Sequence, residues 1–310
     1  MTIALSHETT VARFMRIAFQ GEPGAYSEAA AIRHFGAGVE TIPCETFDDL
    51  FTRVTEGAAD YAMAPIENSL AGSIHQNYDL LARHELHIVG EAVLRVEHCL
   101  IVGNGVTLDE IQMVMSHPQA LAQCDHFIKA RGWKREVVYD TAGSVKLLKA
   151  SGKRDAAAIA SERAADVYGM KVLLRNIEDN PQNFTRFLVL AREPVEPREP
   201  CKTSIVFTLH NIPGALFKAL SVFALRDIDL TKIESRPIPG APWEYMFYLD
   251  FAESVYNERG KRALMHLSEI ASYLRVFGSY PRAEISATES DAVESVATPK
   301  ENVWNLNIRG

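Results

Sequence analysis

Residues able to hold a small anion gather at five places in this 310-residue chain, each directly after a short apolar run. RIAFQ is followed by GEPGAYSE, with Gly21, Gly24 and Ser27. YAMAP is followed by IENSLAGS, with Glu67, Asn68, Ser69 and Ser73. MVM leads into SHPQA, with Ser116, His117 and Gln119, and Gln123 lies one helical turn further on. EVVY leads into DTAGS, with Thr141 and Ser144, and AAAIA into SERAA, with Ser161. In open α/β sheets ligands bind beyond the carboxyl ends of the strands, where helix starts offer free N–H groups and a positive dipole end. Hydroxyl, amide and glycine residues without a paired Lys or Arg describe a site that holds a carboxylate through backbone amides and neutral donors. One such residue alone serves equally well as a helix cap. Recurrence at five junctions points to a shared site.

Other chemistries find no pattern here. Neither GxxxxGK[ST] nor GxGxxG occurs, and GEPGAYSE lacks the Lys that a nucleoside triphosphate calls for. A nucleophile at Ser69 or Ser116 lacks both the GxSxG elbow and the SxxK pair. His117, Cys124 and His126 are close in sequence, but Cys124 and His126 stand two apart and leave a helix on different sides. No metal and no cofactor are expected.

Short strands alternating with amphipathic helices position these junctions, as in an α/β domain on largely parallel strands. The strands are RIAFQ, VETIPC, YAMAP, LHIVGEAVLR, CLIV, MVMS, EVVY, AAAIA, VLLRNI and RFLVLA. The helices expected between them cover Ser27 to Phe35, Phe47 to Thr55, His75 to Arg83, Pro118 to Lys129, Ala142 to Ala150 and Glu162 to Tyr168. At AREPVEPREPCK, Pro194, Pro197 and Pro200 alternate with charges and mark a boundary. Beyond it the order is strand (203–209), helix (215–226), strand (230–236), strand (245–251), helix (258–272), strand (274–279), the ferredoxin-like βαββαβ unit. The division expected is a leader over 1–14, a catalytic domain over 15–193, a linker over 194–202, a second domain over 203–282, and a disordered tail over 283–310.

Composition narrows the class. With 47% apolar and 23% charged residues the chain is an ordinary globular one. No apolar run approaches the roughly eighteen residues of a spanning helix, so no membrane is expected. A formal charge of −8 argues against nucleic acid as a partner. The four cysteines, Cys44, Cys99, Cys124 and Cys201, form no CxxC. The first twenty residues resemble neither a signal nor a transit peptide, which gives a cytoplasmic expectation.

APIENSLAGS, SHPQALAQC, the DTAG segment, AAIASERAA and NFTRF, in that order, resemble the prephenate dehydratase family. KTSIVFTL, the PGAL of Pro213 to Leu216, and TKIESRP at Thr231 to Pro237 are similar to its C-terminal ACT regulatory domain. The resemblance covers about Arg16 to Arg282. It implies a two-lobed catalytic domain of periplasmic-binding-protein type with the site between lobes, and decarboxylative dehydration of prephenate to phenylpyruvate in phenylalanine synthesis. It also implies that L-phenylalanine binds between two ACT domains of a homodimer or homotetramer and inhibits the remote site. Because the residues before Met15 are too few for a mutase domain, a monofunctional enzyme is expected.

The resemblance further assigns residues. The essential threonine of the TRF motif falls on Thr185, followed by Arg186 and Phe187. Its hydroxyl is too weak an acid to act alone, so it polarises the leaving hydroxyl in concert with Glu67 or His117. Asn68, Ser69, Gln119, Gln123, Thr141 and Ala142 would contact substrate, and Phe187 would supply an apolar wall. Effector contacts are expected at Asn211, Pro213, Gly214, Ala215 and Leu216, and at Glu234, Ser235, Arg236 and Pro237. The DTAG version and ALFKALSVFALRDIDLTKIESRP are similar to plant arogenate dehydratases, so arogenate stands as the alternative substrate. A non-catalytic amino-acid sensor is the remaining alternative, and it would have no need of Thr185 and Glu67.

Overall fold

The computed structural model describes residues 14–238 and 240–283, so the readings made for the leader and the tail lie, apart from Phe14 and Ala283, outside the described residues. The chain begins as expected, with β1 (Arg16–Gln20), α1 (Tyr26–Phe35), β2 (Glu40–Cys44), α2 (Phe47–Thr55) and β3 (Tyr61–Asn68). A short β4 (Gly72–Ser73), α3 (His75–Arg83) and β5 (His87–Arg95) complete the first lobe before the chain crosses over. The second lobe holds β6 (Cys99–Val102), β7 (Met113–Ser116), α4 (Pro118–Gln123), α5 (Asp125–Lys129) and β8 (Lys134–Val137), then α6 (Thr141–Ser151), β9 (Ala156–Ala160), α7 (Glu162–Tyr168) and β10 (Lys171–Leu174). β11 (Phe184–Ala191) returns to the first lobe.

Strand order is β2-β1-β3-β11-β5 in the first sheet and β10-β6-β9-β7-β8 in the second. The sheets are mixed and not largely parallel. β1 pairs in parallel with β2 and β3, but β11 runs antiparallel to both β3 and β5. Two passages between lobes cause this, because a strand that returns from the neighbouring lobe enters its sheet from the opposite end.

Side-chain caps account for several helix starts. Thr46, Asp140 and Ser161 accept from the backbone N–H three residues on. Ser27 is no cap: α1 starts one residue earlier from Ala25, and Ser27 is buried. The single helix expected over Pro118 to Lys129 is broken at Cys124. There the crossing segment inserts Asp179, whose backbone N–H donates to the Gln123 carbonyl while its carboxylate accepts from the N–H groups of His126 and Phe127.

The C-terminal unit has β12 (Cys201–Leu209), α8 (Ala215–Ala224), β13 (Leu230–Pro237), β14 (Tyr245–Phe251), α9 (Glu258–Ile270) and β15 (Ala271–Pro281), in sheet order β13-β14-β12-β15. One face of this sheet carries Ile205, Phe207, Leu249 and Phe251 against Val222, Phe223, Ala263 and Leu267 of α8 and α9. The other face carries Val206, Tyr248, Phe277 and Tyr280 into one core with Ile66, Tyr78, Leu81, Ile88 and Leu188 of the first lobe. The approach is close: a Cβ on Gly278 would stand 2.2 Å from the Ile88 carbonyl oxygen. The C-terminal sheet thus closes one face of the first lobe, and the pocket described next opens on the other.

Candidate active site

A bulge decides which side chains face the gap between lobes. Thr185 pairs with Asn68 and Arg186 with Glu67, but Phe187 pairs with Pro65, leaving Ile66 as an extra residue in β3. Ile66 and Glu67 therefore both turn toward the C-terminal sheet, Ile66 into the shared core and Glu67 to within 3.0 Å of Lys232 Nζ. Asn68 and Thr185 turn the other way. They line a pocket with Tyr26, His98, His117, Gln119, Gln123 and Thr141, drawn from both lobes and the crossing segment.

Asn68 is buried and its amide orientation is fixed by its partners. Oδ1 accepts from the N–H groups of Leu70 (3.1 Å) and Ala71 (2.9 Å), so Nδ2 is the donor end. Nδ2 lies 3.0 Å from Thr185 Oγ1, 2.8 Å from Asn183 Oδ1 and 3.1 Å from the Phe184 carbonyl oxygen. Thr185 Oγ1 accepts there, which leaves its own proton free to be donated.

His117 caps α4, its Nδ1 accepting from the Gln119 N–H at 3.3 Å. In the neutral ring the proton then sits on Nε2. Burial pushes the His117 pKa down, against the opposing pull of Asp140, whose own carboxyl is raised by burial. Glu67 is removed as a candidate acid by its position on the opposite face.

The pocket also holds two residues that the sequence reading missed. His98, 2% exposed, lies 2.9 Å from Tyr26 Oη and 2.9 Å from Gln123 Oε1. Oε1 can only accept, so Nε2 carries a proton, while the single Tyr26 hydroxyl proton lies between Nδ1 and the Glu97 carbonyl oxygen at 2.7 Å. Burial pushes the His98 pKa down as well. Its signal in the sequence was its place between two strands of different lobes.

Of the other expected contacts, Gln119, Gln123 and Thr141 line the pocket and three do not. Ser69 clasps a turn, its Oγ donating to the Gln182 carbonyl at 2.7 Å and accepting from the Phe184 N–H at 2.9 Å. Ala142 is packed under α6 with Phe19 and Val145. Phe187 is packed with Ile17, Ala30 and Met63, because beyond the bulge its face of β11 meets α1.

A second cavity lies in the C-terminal unit. Asn211, Gly214, Ala215 and Leu216 line it with Trp243, Tyr245 and Phe247, which the sequence reading did not single out; Pro213 is in the same turn but does not line it. Glu234, Ser235, Arg236 and Pro237 are not brought to it. Glu234 accepts from Ser73 Oγ (2.8 Å), Arg236 pairs with Asp79 (2.9 Å), and Ser235 and Pro237 are exposed.

Comparison with known proteins identifies the two units. Residues 17–195 match the prephenate dehydratase family and residues 203–254 the ACT domain. The chain is 51% identical over 278 residues to arogenate dehydratase/prephenate dehydratase 2, a chloroplastic protein of Arabidopsis thaliana, covering 86% of this chain and 73% of that one. Among solved structures, prephenate dehydratase of Arthrobacter aurescens in complex with L-Phe superposes with a TM-score of 0.80 at 32% identity, over 91% of this chain and 97% of that one. A protein described as a novel type of quorum-quenching acylase also gives 0.80, at 37% identity, over 86% and 98%.

The pocket's electrostatics can be read without substrate. In an NMR pH titration His117 and His98 are expected to protonate below about 6.5, the ordinary histidine value. Asp140→Asn removes a negative charge that favours protonated His117, so it should lower the His117 midpoint further. A midpoint at or above the ordinary value would contradict the burial argument.

Proposed function

The chain belongs to the prephenate dehydratase family and is a dehydratase, and on that premise we propose that it converts prephenate to phenylpyruvate under inhibition by L-phenylalanine bound at the ACT domain. The observation that carries the reading is the Asn68 to Thr185 hydrogen bond, which aims a free hydroxyl proton into a pocket of neutral donors.

In the reaction the bond from ring carbon to carboxylate breaks, its electron pair enters the ring, and the C–O bond on the opposite carbon breaks. Carbon dioxide and hydroxide leave, and the ring becomes aromatic. Hydroxide is the poor leaving group, so catalysis must put hydrogen-bond donors on its oxygen. Thr185 O–H and the neutral His117 Nε2–H are the donors we assign to it. The start of α6, with Thr141 in its first turn, offers free N–H groups and the positive dipole end to a substrate carboxylate. Gln119 and Gln123 add neutral amides.

Arogenate is the second reading, favoured by the names of the plant relatives. Its ammonium calls for an ionised acceptor, and no carboxylate is among the residues lining the pocket. That favours the keto group of prephenate. An acyl-transfer reading, suggested by the acylase, needs a nucleophile with an orienting base. Thr185 Oγ1 faces an amide donor, which does not take a proton from it.

For control, Ile212, Phe217 and Trp243 at the rim of the ACT cavity are exposed, as are Ser235 and Pro237 on β13. This arrangement supports an effector site completed by the ACT domain of a second copy, in a homodimer or a homotetramer. Gly214, at φ +77°, caps α8 in the left-handed conformation.

With purified protein, kcat/KM for prephenate is expected to exceed that for arogenate by at least about tenfold. Thr185→Ala should lower turnover at least about 10²-fold with the fold intact, and Thr185→Ser should retain much more activity. A preference for arogenate would transfer the assignment to the second reading. Near wild-type turnover of the Ala variant would remove Thr185 from the mechanism. Gly214→Val should abolish inhibition by phenylalanine while turnover without it persists. Equal inhibition curves for variant and wild type would place the effector elsewhere.

A further inference from the structure

The residue pair next to the catalytic pair is held by the ACT domain. Glu67 and Arg186 are cross-strand partners in β3 and β11, one position along from Asn68 and Thr185. Lys232 and Asp250 are cross-strand partners in β13 and β14. The two pairs meet with opposite charges matched: Glu67 Oε1 is 3.0 Å from Lys232 Nζ, and Arg186 Nη1 is 2.7 Å from Asp250 Oδ2. Arg186 also bonds Glu91 through Nε (2.8 Å) and donates to Tyr280 Oη from Nη2 (3.0 Å).

The side chains of Arg186, Asp250 and Lys232 are 14%, 10% and 11% exposed and Glu91 is 2% exposed, so any of these charges parted from its partner would lie largely out of water, whereas Glu67 is 36% exposed. Against the upward push of burial, Arg186 and Lys202 hold the Glu91 carboxyl below its usual range, so it stays ionised. At the far end of β14 lie Tyr245 and Phe247, which line the ACT cavity; Asp250 is three residues on, about 10 Å along an extended strand. Movement of β13 or β14 around an effector is therefore delivered to Glu67 and Arg186. Glu67 is covalently next to Asn68, which aims the hydroxyl proton, and Arg186 is next to Thr185, which carries it.

We propose that Glu67 and Arg186 are positioning residues, and that the Lys232–Glu67 and Asp250–Arg186 pairs carry the effect of the ACT ligand to the Asn68–Thr185 pair. This rests on the dehydratase reading and its inhibition by phenylalanine. Coupling of this kind is reciprocal, so it is visible in binding as well as in turnover.

The test is Lys232→Met, which removes the contacts of Nζ with Glu67 (3.0 Å), Ser73 Oγ (3.2 Å) and Glu234 (3.8 Å) and leaves Arg186 in place. Inhibition of the full-length enzyme by phenylalanine is expected to need at least about tenfold more effector, while calorimetry with phenylalanine alone still gives binding. Without effector, kcat should fall with KM little changed, a split that general loss of stability does not produce. Lys232→Arg should restore both, and Glu67→Gln, which weakens the same pair from the other side, should reproduce the Met variant. A wild-type inhibition curve in Lys232→Met with a wild-type kcat overturns the proposal. If wild-type enzyme turns over substrate but phenylalanine does not inhibit it, the regulatory reading fails first and the proposal falls with it.

Discussion

The hydrogen bond from Asn68 to Thr185 depends on an amide that cannot turn. Both N–H groups that hold Asn68 Oδ1 belong to the turn after β3, and a flipped amide would set Nδ2 against these two donors and Oδ1 against the Asn183 and Phe184 oxygens. The donor end must then face Thr185, Asn183 and the Phe184 carbonyl. Every further part of the site serves this arrangement. The extra residue Ile66 turns Asn68 to the pocket, β11 presents Thr185 in register with it, and Ser69 clasps the ends of both strands.

The second lobe supplies the other wall and is held close by contacts from the β1–α1 loop and the first turn of α1. Ser161 Oγ donates to the Gly24 carbonyl at 2.6 Å, Arg163 pairs with Glu28 at 2.8 Å, and Lys146 pairs with Glu22 at 3.0 Å. A Cβ on Gly24 would stand 2.6 Å from Ala164 Cα, so the lobes meet where a side chain could not fit. Charged groups are kept in these outer contacts, while burial pushes the His98 and His117 pKa values down inside. The pocket thus presents dipoles that are already oriented.

Periodicity and turn chemistry made the element order legible, including the βαββαβ unit, because apolar alternation and caps act locally. Mixed strand direction was not legible, since it follows from the chain crossing between lobes. Asn68, His117, Gln119, Gln123 and Thr141 were found through their junctions, and Thr185 through the TRF motif. Glu67 was read toward the pocket from its junction, and the bulge at Ile66 turns it to the other face. Phe187 was read as a pocket wall and Ala142 as a substrate contact from motifs alone, but their neighbours α1 and Val145 claim them for the core. His98 and Tyr26 escaped because the contact joining them spans 72 residues.

The central claim is that Asn68 acts through Thr185, and a double-mutant cycle with Asn68→Ala and Thr185→Ala measures it most directly. If the amide serves to aim the hydroxyl, the double variant should turn over about as fast as Thr185→Ala alone, with strongly non-additive losses. Losses that multiply independently would contradict the account, because they would mean that each side chain contributes without the other.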